Sequence, residues 1–195
     1  MYNVADQAII ITDGDNTACR AVENAGQKLG VRTISKSAGT PTDHSGEEII
    51  KLIKEAESDT ALVMFDDEGD KNKGSGEQAM ERVLAADEIE ILGILAVASD
   101  TKDVVGIKPD FSVTNQAEVI DAPVTKDGSP ESADHLYLEG DTVDIINEFS
   151  PQLVIGIGDI GKMDHQDDHN KGCPITTKAI EEILSRSGKS YERVN

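Results

Sequence analysis

A chain of 195 residues with 18 Lys and Arg against 38 Asp and Glu carries a formal charge of −20, which opposes binding to a phosphate backbone. No cluster of four or more Lys or Arg occurs, so nucleic acid is not an expected partner. Apolar residues make up 37%, enough for one core, and the longest apolar stretch, residues 89–98, falls short of the roughly 18 residues that a spanning helix needs.

Residues 1–6 contain no basic stretch, so no signal peptide is expected. Residues 7–12 (QAIIIT) read as a buried, β-branched strand that runs into Asp13-Gly14-Asp15. Ala18, Val22, Ala25 and Leu29 then recur at helical spacing, with Gly30 as a stop. A second strand is expected at 31–35 and a turn at 37–42. Ser45-Gly46-Glu47-Glu48 has the form of a capping box, opening a helix through Ile49, Leu52, Ile53 and Ala56. Residues 60–65 (TALVMF) form a third buried strand that breaks into Asp66-Asp67-Glu68-Gly69-Asp70. Ser75-Gly76-Glu77-Gln78 repeats the capping-box pattern ahead of Ala79, Met80, Val83 and Leu84, and residues 89–98 read as the fourth strand.

Between 100 and 140 the periodicity fades. Short extended pieces are expected at 111–114 and 135–138, with a turn at Lys126-Asp127-Gly128. Asp141 reads as the cap of a short helix through Val143, Ile146 and Phe149. Residues 153–157 form a last core strand, and Pro174 opens a closing helix through Ile175, Ala179, Ile183 and Leu184. Strands alternating with amphipathic helices imply βαβ units. The expected fold is therefore one three-layer, Rossmann-like α/β domain over residues 1–195 with a mostly parallel sheet.

In such sheets ligands bind beyond the carboxyl ends of the strands, where the strand order reverses. Three strands here end in carboxylates: Asp13 and Asp15, then Asp66, Asp67 and Glu68, then Asp159. Brought to one edge, these hard oxygen donors suit Mg²⁺ or Ca²⁺. The competing reading is that each carboxylate caps the next helix or shapes a turn. Gly156-Ile157-Gly158-Asp159-Ile160-Gly161 matches G-x-G-x-x-G, but residues 162–171 have no apolar face to continue as a helix, so a dinucleotide site is not expected. His165 and His169 stand four apart among Asp164, Asp167 and Asp168, and read as a solvated acidic loop rather than a metal pair. Cys19 and Cys173 are distant and form no CxxC pair. They suit packing and spacing in a reducing compartment rather than nucleophilic catalysis.

Several blocks together resemble the soluble form of the stage V sporulation protein AE family: Ile11-Thr12-Asp13-Gly14-Asp15, Ser37-Ala38-Gly39-Thr40-Pro41-Thr42, Val63-Met64-Phe65-Asp66-Asp67, Gly76-Glu77-Gln78-Ala79, Leu92-Gly93-Ile94-Leu95-Ala96-Val97-Ala98-Ser99 and Gly156-Ile157-Gly158-Asp159-Ile160-Gly161-Lys162-Met163-Asp164. Pro174-Ile175-Thr176-Thr177 and Arg186-Ser187-Gly188 fit as well. The resemblance implies a role in endospore formation, within a set of proteins that moves dipicolinic acid with Ca²⁺ into the forespore and releases it at germination. It further implies association with the spore inner membrane through partners such as protein AD of that set, and it supplies no catalytic residues. A weaker likeness, at the level of fold, is to Toprim domains, the Mg²⁺-binding modules of primases, topoisomerases and small nucleases. Asp13 stands where that family has Glu, and Glu68 replaces the last Asp of its D-x-D pair. That likeness implies an alternative: a Mg²⁺-dependent phosphoryl-transfer enzyme holding its metal on Asp13, Asp66 and Glu68. A third possibility is a binder of dipicolinate, bridged to the acidic edge by a cation.

Overall fold

The computed structural model describes residues 7–68, 73–100 and 104–188. The run of β-branched residues after Gln7 forms β1 (Gln7–Ile11) at the centre of a seven-stranded sheet. With β2 (Arg32–Thr33), β3 (Thr60–Met64), β4 (Glu90–Val97), β5 (Phe111–Val113), β6 (Val119–Ile120) and β7 (Val154–Ile157), the order across the sheet is β2-β3-β1-β4-β7-β5-β6. Every pairing is parallel except that of β5 with β6. The chain leaves β1 towards β2 on one side and leaves β4 towards β5 on the other, so the strand order reverses between β1 and β4.

Alternation along β1 divides the core. Ile9 and Ile11 join Leu62, Met64 and Leu95 under α1 (Asn16–Leu29) and α4 (Pro174–Arg186). Ala8 and Ile10 join Val63, Phe65 and Ile94 under α2 (Gly46–Lys54) and α3 (Ser75–Leu84). These are the three layers expected from the sequence. The Ser45 capping box is complete: Glu48 N–H donates to Ser45 Oγ at 3.4 Å, and Ser45 N–H donates to Glu48 Oε2 at 2.9 Å. Pro174 sits in the first turn of α4, and Gly30 ends α1 in the left-handed region at φ 66°.

The structure corrects several local readings. The second strand keeps only Arg32 and Thr33, because residues 35–37 turn into a 3₁₀ helix. The Ser37 hydroxyl then accepts the Met64 N–H at 2.8 Å, satisfying a β3 group that a longer strand would have paired. Ser75 does not cap α3. That place falls to Gly74, and the Ser75 hydroxyl donates instead to Thr42 O at 2.8 Å. Asp141 caps no helix either. The segment expected to be helical is the 3₁₀ helix Asp144–Glu148, whose Asp144 carboxylate accepts the N–H groups of Val105 and Gly106. Residues 135–138 form no strand; Leu138 makes a single bridge to Ile107. The G-x-G-x-x-G glycines lead into 3₁₀ turns, and His165 and His169 fall in two separate ones, Met163–His165 and His169–Lys171. Gly69, Asp70 and Lys71 of the predicted loop lie outside the described residues.

Gly26 lies inside α1, where alanine has the better helix propensity by about 1 kcal/mol. A Cβ there would stand 2.5 Å from Thr33 Oγ1 and 2.8 Å from Val31 O, and the second atom is backbone that cannot swing away. Overpacking of this kind costs about 1–3 kcal/mol, so the clash wins. Gly26→Ala should lower the urea unfolding midpoint; a raised midpoint would mean that α1 does not pack this closely on β2.

Candidate functional site: an acidic rim at the switch point

Parallel strands expose their carboxyl ends on one edge, and the chain places acids there in succession. Thr12, the last residue before the rim, ties β1 to β4: its N–H donates to Leu95 O at 3.1 Å and its hydroxyl accepts the Val97 N–H at 2.9 Å. Asp13 follows, half-buried, with its Oδ1 accepting the Asp15 N–H at 3.3 Å. Burial, then the charges of Asp15, Asp66 and Asp159, push its carboxyl from the usual 3.8 up to about 8. A carboxyl raised this far favours its protonated form at neutral pH.

The structure thus brings Asp15, Asp66 and Asp159 within electrostatic reach of Asp13, and each of the four accepts hydrogen bonds from the protein. Asp15 caps α1, accepting Thr17 N–H at 2.7 Å and Ala18 N–H at 2.8 Å. Asp66 is buried and accepts the Glu68 N–H at 2.8 Å and the Gly14 N–H. Burial, with the Asp141 carboxyl facing it, raises Asp66 above the ordinary range. Asp159 accepts the Gly161 N–H at 3.0 Å and pairs with Lys162 Nζ at 2.9 Å.

Asp67 turns the other way. It curls back over the start of α3 and accepts Gly74 N–H at 3.0 Å and Gly76 N–H at 2.5 Å, with the Glu77 N–H as a further donor. Gly76 is required here, since a Cβ would meet Asp66 O at 2.2 Å. Asp67 is the cap that the sequence reading assigned to Ser75. Its own pKa is raised by burial in spite of those donors. Glu68, at φ 57°, is exposed.

Two acids absent from the sequence-based set complete the rim. Asp141 Oδ2 accepts the Asp67 N–H at 3.3 Å, and its own N–H donates to Ser99 Oγ at 3.0 Å. Glu77, in the first turn of α3, is raised to about 7 by burial and then by the charges of Asp67 and Asp141. In the sequence Asp141 reads as a helix cap and Glu77 as part of a capping box, and neither cap forms. As the side chains stand, no three His, Cys, Asp or Glu among the described residues form a group able to hold a metal ion. Neither thiol offers a nucleophile. Cys173 is wholly buried and pushed up to about 11, and burial also raises Cys19.

On the outer side of the rim, α1 and the loop 160–173 enclose a cleft of about 310 Å³ lined by Thr17, Arg20, Lys162, His165, His169 and Asn170. Asp167, on the same loop, is buried and caps α4 through Ile175 N–H at 2.7 Å and the Thr176 hydroxyl at 2.5 Å.

Fold and site together define a doubly wound α/β domain whose switch-point carboxylates are held by a proton and by backbone N–H groups. No helix among the described residues is long and apolar enough to cross a membrane. The family model described as stage V sporulation protein AE1 matches residues 7–187, and the chain belongs to that family. No curated protein and no solved structure matches the chain.

The raised Asp13 pKa has a consequence for stability. In the folded state the proton stays on until about pH 8, whereas the unfolded carboxyl loses it near 3.8. Stability from this group is full below roughly pH 4 and falls by up to about 1.4 kcal/mol per pH unit until pH 8. Asp13→Asn removes the titrating group. Its stability advantage over the native chain, read by urea unfolding, should grow across that window and level off above it; a difference independent of pH would show that Asp13 stays ionised.

Proposed function

We propose that the chain is a soluble, non-catalytic accessory component of the stage V sporulation protein A set, implicated in moving dipicolinic acid with Ca²⁺ into the forespore and releasing it at germination. On this reading it works peripherally at the spore inner membrane through partners of that set, protein AD first among them. Family membership over residues 7–187 carries the sporulation role. In support of the non-catalytic part, Asp15 and Asp67 serve as caps of α1 and α3, and Asp159 accepts the Gly161 N–H and pairs with Lys162.

One observation favours a second reading, a Mg²⁺-dependent Toprim-like phosphoryl-transfer or nuclease enzyme. Asp13 and Asp66 end neighbouring strands and feel each other's charge. A Mg²⁺ or Ca²⁺ on Asp13, Asp15, Asp66, Asp67, Glu68 and Asp159 would require Asp13 to lose its proton and Asp67, whose two oxygens both take α3 N–H groups, to release that helix. These costs argue against a tight site of that composition.

Capture from sporulating cells with the tagged full chain separates the two. The accessory role predicts recovery of membrane transport components of the set, protein AD included; recovery of DNA-processing proteins instead would overturn it. Calorimetric titration with Ca²⁺ and Mg²⁺ should give no saturable heat that Asp13→Ala abolishes. Such a heat, together with cleavage of nucleic acid in Mn²⁺, would establish the enzyme.

A further inference from the structure

The cleft beside α1 is balanced in charge where the chain as a whole, at −20, is strongly acidic: Arg20 and Lys162, with two of the protein's four histidines, His165 and His169, line it together with Asp167 and Asp168. Its two acids both accept hydrogen bonds from the protein. Asp167 is buried and takes donors from Ile175 and Thr176. Asp168 accepts the backbone N–H of Asn170 at 2.7 Å and its side-chain N–H at 2.9 Å, which with the nearby His165 and Lys171 keeps it below the usual carboxylate range. Asp159, at the edge, is matched by Lys162 at 2.9 Å.

The donors are not committed in the same way. Among the described residues Arg20 makes no ion pair, and neither His165 nor His169 donates a side-chain hydrogen bond. Lys28, behind the loop, donates to Gly172 O and adds positive charge beside Asp167. The floor is apolar and buried, formed by Ala21, Ile160 and Cys173. A guanidinium presents a planar fork of donors suited to carboxylate and phosphate, and imidazole N–H groups add directional bonds whether neutral or charged.

We infer that this cleft is a binding site for a compact oxyanion, a carboxylate or a phosphate, with Arg20 as its principal anchor and His165, His169 and Asn170 as orienting donors. Volume bounds the ligand's size: about 310 Å³ lies at the lower end for small-molecule sites, so the occupant is a small molecule rather than a polymer. The site is distinct from the acidic rim, whose carboxylates would repel such a ligand, and it stands or falls independently of the sporulation role.

The test is a titration of the ¹⁵N-labelled full chain, followed by amide NMR, with inorganic phosphate and separately with succinate. Saturable shifts at Thr17, Gly161 and Asn170 are expected with at least one probe, and the tighter probe identifies the chemistry. Arg20 is exposed, so Arg20→Ala should fold and weaken binding by about tenfold or more. His169→Ala should weaken it less, and Arg82→Ala, paired with Glu47 on α2, should leave it unchanged. Absence of saturable shifts with both probes, or binding that Arg20→Ala leaves intact, would overturn the inference.

Discussion

Repulsion between carboxylates is the constraint around which this protein is arranged. Two ionised carboxylates about 4 Å apart repel by roughly 4 kcal/mol at an effective dielectric of 20, and a parallel sheet whose strands end in aspartate delivers several of them to one edge. The chain answers with three devices. Helix and turn N–H groups take up Asp15, Asp67 and Asp159; Lys162 neutralises Asp159; and a proton stays on Asp13. The same contacts fix the start of α1 and of α3, so the electrostatics of the rim and the placement of two of the four α-helices are one problem with one solution.

That solution bears on function. A carboxylate that caps a helix is held in place by N–H groups pointing at it, and taking it for a metal exposes those groups again. Two of the carboxylates that the sequence offered as cation ligands also serve, in the folded chain, as caps: Asp15 of α1 and Asp67 of α3. The neighbouring cleft differs: among the described residues its Arg20 makes no ion pair. Two adjacent surfaces thus divide the charge: one acidic and internally satisfied, the other with donors to spare.

Much of the fold was legible because its signals are local. β-branched runs fixed β1, β3, β4 and β7, and the Ser45–Glu48 pair announced α2 within four residues. The misreadings share one cause, partners distant in sequence. Ser75 and Asp67 were equally eligible to cap α3, and only the return of the chain from β3 decides for Asp67. Ser37 ends β2 by reaching Met64, a residue 27 positions on. Between 104 and 140, outside the short strands β5 and β6, the segment makes isolated bridges, Ile107 with Leu138 and Val124 with Pro130, which leave no periodic trace. At the rim, the convergence of Asp13, Asp15, Asp66 and Asp159 was readable from strand ends, whereas Asp141 and Glu77 reach it by tertiary folding alone.

A proton held on Asp13, by burial among its neighbours, lets these acids share an edge. Side-chain carboxyl ¹³C NMR on aspartate-labelled protein tests it directly, with the Asp13 resonance assigned by its loss in Asp13→Asn. A titration midpoint near 8 is the predicted result. A midpoint near 4, with the Asp13 carboxylate ionised through the neutral range, would contradict the account.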